Sequence, residues 1–177
     1  MTDVSSGVQG AIELHRMKKR MLLIAAMVLV LAQLAQPDRS VPPVDLSQDM
    51  LEITAAPAPI NTLVSGACYD CHSNTTNYPW YAYITPVNFW LQHHIDEGRE
   101  VLNFSRWDRY ANSEAAAELG ESIAEGEMPP KNYSFIHGHG KLTTAQREEL
   151  IAWFDTNLGN KAHDGGQHIG GTEDHED

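Results

Sequence analysis

The chain holds two cysteines in 177 residues, and they stand three positions apart in Cys68-Tyr69-Asp70-Cys71-His72. A secreted disulfide framework spreads its cysteines to close long loops, and two thiols in one turn close none. A redox Cys-x-x-Cys belongs beside a βαβ pattern, and no segment here alternates convincingly as a strand. A zinc site would need His93-His94 or the His137/His139 pair to complete it, because there is no second cysteine pair. The histidine that closes the motif favours a different chemistry. In one helical turn two thiols share a face and an imidazole follows directly. That is how one covalent haem c is attached: thioethers from Cys68 and Cys71, with His72 as proximal iron ligand.

Thioether attachment happens outside the cytoplasm, and the N-terminal sequence fits that compartment. Arg16, Lys18, Lys19 and Arg20 precede the apolar run Met21 to Ala35, the order of an export signal. The run is short of the roughly 20 residues that span a bilayer, although flanking Lys and Arg extend its reach. It reads as a signal anchor, or as a signal peptide cleaved after Ala32. The positive-inside rule then leaves residues 1–20 in the cytoplasm and everything after Ala35 on the periplasmic side.

Composition divides the chain beyond Ala35 into three parts. Residues 36–59 carry Pro37, Pro42, Pro43, Pro57 and Pro59 and are expected to form a semi-rigid tether. Residues 60–160 are expected to fold as the domain that carries the c-type haem. Residues 161–177 are Gly, His, Asp and Glu with hardly an apolar side chain, the composition of a disordered tail. The net charge is −12 with His neutral and the basic residues cluster at Arg16 to Arg20, so the part beyond is strongly acidic, which argues against nucleic acid as a partner.

Within 60–160 the periodicity predicts an all-α domain with long loops, small and haem-wrapping in the manner of cytochrome c. A short helix runs from Pro59 into the Cys pair. Thr85-Pro86 predicts an N-cap and first turn, with Val87, Trp90, Leu91, His94 and Ile95 on the inward face. Ser113 caps a helix bearing Ala116, Leu119 and Ile123 that stops at Gly126. Thr143 and Gln146 form a capping box before Leu150, Ile151, Phe154 and Leu158, and Gly159 ends that helix.

The far side of the iron has two candidates. Met128 lies in Gly126-Glu127-Met128-Pro129-Pro130, where the prolines enforce an extended loop able to hold a thioether over a flat cofactor. Met/His ligation raises the potential. His94 is the alternative distal ligand, and either residue also has an ordinary packing role open to it. Arg99 and Trp107, with the Pro79-Trp80-Tyr81 segment, either line the haem or pack elsewhere.

The string Cys-Tyr-Asp-Cys-His-Ser-Asn-Thr-Thr-Asn-Tyr-Pro-Trp-Tyr resembles the bacterial haem-binding domain family. So do Ile84-Thr85-Pro86, Trp90-Leu91, the stretch from His93 to Arg99, Leu102-Asn103-Phe104-Ser105 with Trp107, and Met128-Pro129-Pro130 with Tyr133. The resemblance covers roughly Ile60 to Leu158. It implies an exported or membrane-tethered monohaem c-type cytochrome with Cys68 and Cys71 carrying the haem, His72 proximal and Met128 distal. The expected function is single-electron transfer, not enzymatic turnover. Its partners would be redox proteins or a membrane redox complex, with the membrane met through the N-terminal helix. The alternatives are a haem peroxidase or gas sensor using His94 beside Arg99, or a structural subunit of a larger redox assembly.

Overall fold

The structure is a computed structural model that describes residues 3–159, so the tail expected over 161–177 lies outside the described residues. Among the described residues all regular structure is helical, as the absence of strand periodicity predicts. The chain forms two compact units, residues 3–39 with 79–92, and residues 40–78 with 93–159.

The first unit is built on α1 (Asp3–Ala32). Its apolar part begins at Met21, directly after the basic cluster, and runs out at the helix end. That leaves roughly 18 Å of apolar helix against a hydrocarbon core of about 30 Å. No described helix is long and apolar enough to cross a membrane, so the transmembrane span expected over 21–35 is not supported. The end of α1 is fastened to the segment before α5 (Val87–Val101). The Gln33 side chain accepts from the Thr85 N–H at 2.9 Å and donates to the Thr85 carbonyl at 3.2 Å. The Thr85 hydroxyl donates to the Ala35 carbonyl, and the buried Asn88 amide donates to Ala35, Gln36 and the Thr85 hydroxyl. Thr85 is thus taken up by these bonds, and α5 starts at Val87, one residue after the Pro86 start its sequence suggests. The buried positions of α5 are Asn88, Gln92 and Ile95, one step round from the predicted face, while Val87, Trp90 and His94 are exposed.

The second unit contains the core, and it starts earlier than Ile60. Asp49 caps the short α2 (Met50–Ile53) by accepting from the Leu51 N–H, and Met50 and Leu51 are buried in the same cluster as Phe104 and Phe154. The stretch expected as a tether over 36–59 therefore contributes core side chains. α3 (Ala58–Ala67) leads to Cys68, where the backbone departs from helix, and α4 (Tyr69–His72) carries the rest of the motif. After α5, α6 (Trp107–Tyr110) follows a 3-10 turn at Phe104–Arg106. Ser113 caps α7 (Glu114–Ala117) as predicted, but a break at Glu118 separates it from α8 (Leu119–Ala124). α9 (Lys131–Ile136) is short, and α10 (Thr144–Phe154) opens with the predicted capping box. α10 packs against α8 and α3, burying Leu150 and Phe154 at their junction.

Candidate functional site

α4 is one turn long and would not persist alone; its neighbours hold it. The Tyr69 hydroxyl donates to the buried Asp49 carboxylate at 2.7 Å, and Tyr69 stacks on Phe104. Burial and the Asp49 carboxylate push the Tyr69 phenol far above its ordinary range, so it remains a donor. The polar residues after the motif knit it to the segment following α5. Ser73 and Asn74 are buried, the Asn74 N–H donates to the Ser105 hydroxyl, and the Asn103 amide donates to Asn74. Arg99 donates through Nε to the Ser73 carbonyl and through Nη2 to the Thr76 hydroxyl, both at 2.7 Å.

These bonds fix the Leu102 carbonyl 3.1 Å from His72 Nδ1. A carbonyl only accepts, so Nδ1 carries the proton and Nε2 keeps its lone pair, the tautomer a metal-ligating histidine needs. Burial lowers the His72 pKa, with bonds to the Leu102 and Gly98 carbonyls opposing that shift, so the ring is neutral at pH 7. Burial raises the thiols, Cys68 to about 12 and Cys71 to about 11, with Asp70 adding to the latter. Both cysteines are free and protonated at neutral pH.

Cys68, Cys71 and His72 line a cavity of about 400 Å³ in the second unit. That volume falls in the range of small-molecule and cofactor sites, about 300–1,000 Å³. Its walls are mainly apolar, with Leu102, Phe104, Leu119, Ile123, Leu142 and Phe154 among them. Met128 lines the same cavity, and so does His94. The lining also includes Glu97, Glu118, Ser122 and Tyr133. Arg99 and Trp107 are not among the lining residues; Arg99 holds the loop after His72, and Trp107 is buried beside Phe104.

Met128 reaches the cavity because of how α8 ends. Gly126 adopts φ +75°, a conformation that strains any residue with a Cβ. Its N–H donates to the Ile123 carbonyl and the Glu127 N–H to that of Ser122, the paired bonds of a Schellman turn. The Met128 N–H also donates to the Ser122 carbonyl, and Arg147 of α10 donates to the Met128 carbonyl at 3.2 Å. The methionine is thus tied at both its backbone groups, while its residue stays 39% exposed.

One further network ties the motif to the stretch around α9, and sequence reasoning missed it. The Tyr133 hydroxyl donates to Asp70 at 2.7 Å, and His139 Nε2 lies 3.2 Å from both groups. Asp70 and the burial of the ring push Tyr133 well above its usual range. Two hydrogen-bonding residues between the cysteines were the available signal. His93 pairs with Glu97 on the surface of α5. No cluster of three or more His, Cys, Asp or Glu that could hold a metal ion occurs among the described residues, so the zinc reading has no ligand set there.

An all-helical domain folded round an apolar cavity, with two adjacent thiols and an oriented imidazole in its wall, is a cofactor-wrapping domain. The family model described as a haem-binding domain matches residues 27–156, and the chain belongs to that family. The family supports haem as the cofactor. The match begins well before Ile60, in keeping with the burial of Met50 and Leu51. No curated protein and no solved structure matches the chain.

Proposed function

We propose that the chain is an extracytoplasmic monohaem c-type cytochrome that carries single electrons. The observation behind this reading is the shared cavity: Cys68, Cys71, His72 with its proton on Nδ1, and Met128 all line one apolar volume. When bound, the haem supplies the Fe(III)/Fe(II) couple. Cys68 and Cys71 would each add S–H across one vinyl group, forming a carbon–sulfur bond and leaving the hydrogen on the neighbouring carbon. His72 would present Nε2 to the iron, held by Leu102. Met128 would present its thioether from a loop whose backbone is fixed by Ser122 and Arg147, so the ligands need not rearrange between oxidation states. The apolar walls would surround the macrocycle, and the carboxylates Glu97 and Glu118 in the lining would favour the ferric form.

The basic-then-apolar N-terminal segment is read as the export signal, with the haem unit loaded outside the cytoplasm. The acidic chain suits a redox partner with a basic docking face. A second reading, an exchangeable distal side for gas or peroxide, is favoured only by His94 in the cavity lining. Arg99, which that chemistry would use beside His94, is engaged with Ser73 and Thr76.

One experiment separates the readings. The full chain is expressed with the periplasmic cytochrome-maturation machinery, and ferric and ferrous spectra are taken with and without carbon monoxide. Electron transfer predicts a methionine-to-iron charge-transfer band that disappears in Met128→Ala, and slow or absent carbon monoxide binding by the parent. Rapid binding by the unmutated protein would sink it in favour of the sensor or enzyme.

A further inference from the structure

Residues 79–92, Pro-Trp-Tyr-Ala-Tyr-Ile-Thr-Pro-Val-Asn-Phe-Trp-Leu-Gln, contain no charged residue, in a chain that is 20% charged. Globular domains bury such a stretch; this one shows its large side chains to solvent. Trp80 is 76% exposed, Trp90 51%, and Tyr83, Ile84 and Phe89 are exposed as well. The cavity of the haem unit uses none of them. They belong to the same unit as α1, whose apolar residues from Met21 to Leu31 are also exposed.

The hydrogen bonds of this unit go into joining the two apolar pieces. Besides the Gln33–Thr85 and Asn88–Ala35 bonds, the Gln36 amide donates to the Tyr83 carbonyl at 3.3 Å. Arg39 donates to the Ala82 carbonyl and lies over the Tyr83 ring. The aromatic segment is therefore fastened to the C-terminal end of the helix, while the basic cluster Arg16 to Arg20 stands at the start of its apolar part.

We propose that residues 79–92 form a membrane-interface platform, which seats the end of α1 at the lipid–water boundary of an anionic bilayer. This rests on the extracytoplasmic reading above. Three observations favour lipid over a protein surface. The segment lacks charges to register against a protein partner. Its exposed rings include Trp and Tyr, whose apolar bodies and polar tips suit the headgroup layer. And α1 is apolar on every side from Met21, where a protein partner would cover a single stripe. A helix too short to span gains from a second apolar element at one end. The aromatic platform supplies buried area, and the cationic cluster supplies attraction to acidic headgroups.

The test uses the full, haem-loaded chain mixed with vesicles of phosphatidylcholine and phosphatidylglycerol, read by flotation and by hydrogen exchange. The parent should float, and amides within 79–92 should exchange more slowly on vesicles. In Trp80→Ala/Phe89→Ala/Trp90→Ala the partition should fall by about tenfold or more, because three exposed aromatic surfaces no longer leave water. These side chains are surface groups, so helical circular dichroism and the haem band should be unchanged. A second variant, Trp80→Ala alone, should lose an intermediate amount. The proposal is overturned if the triple variant floats as well as the parent. It is equally overturned if 79–92 is protected only in concentrated, vesicle-free protein, the mark of a second copy as occupant. The haem band is read in the same samples, so a failure of covalent loading is seen separately from a failure of membrane seating.

Discussion

His72 is a neutral ring in the folded chain because burial disfavours its cation more than the Leu102 and Gly98 carbonyls favour it. The unfolded chain binds that proton with the ordinary pKa of 6.5. Below that value the unfolded state therefore holds more protons, and the contribution of His72 to stability is lost as the pH falls. It is fully present above 6.5. Thermal unfolding of the haem-free full chain, followed from pH 8 to pH 4.5, should show a midpoint that declines below about 6.5, with a smaller decline in haem-free His72→Asn; identical slopes in the two proteins would contradict the buried, neutral ring. At this scale the grouping of Cys68, Cys71 and His72 was legible in the sequence, because it sits in five consecutive residues, and all three line the cavity. Its supports were not. Asp49 reaches Tyr69 across 20 positions and Tyr133 reaches Asp70 across 63, and neither bond has a local signature.

Elements join the motif to its cavity, and α5 comes close to α4 at a glycine. A Cβ on Gly98 would lie 3.0 Å from the Cys71 carbonyl oxygen and 3.5 Å from the Cys71 Cβ. Gly98→Ala would gain up to about 1 kcal/mol of helix propensity. It must also move the backbone of Cys71, an overpacking cost of about 1–3 kcal/mol. The larger effect wins, so we expect a net loss of about 1 kcal/mol and a lower yield of haem-loaded protein. Denaturant unfolding and the ratio of haem to protein absorbance check both, and an unchanged yield with raised stability would refute the contact. Helix ends were read well from sequence where a cap is local, as at Ser113, Thr143 and Gly126. The inward face of α5 was not. Asn88 is buried because Ala35 and Gln36, more than 50 positions away, accept its amide protons, and hydrophobic periodicity has no term for that.

At the scale of the whole molecule, the second unit of this acidic chain is organised round a cavity of about 400 Å³. Phe104, Phe154 and Leu119 are among the residues that line it. A bound macrocycle would pack against these side chains, much as a structural metal completes a small domain. The fold class was legible because no segment alternates and several carry caps. The unit formed by residues 3–39 and 79–92 was not, since its pieces are far apart in sequence and its bonds run to backbone carbonyls. The central claim is covalent attachment through Cys68 and Cys71, and the intact mass of the denatured full chain, produced with the maturation machinery, tests it most directly. The account predicts the polypeptide mass plus one haem after unfolding and solvent extraction, and the bare polypeptide mass in Cys68→Ala/Cys71→Ala. The bare mass for the unmutated chain would contradict it.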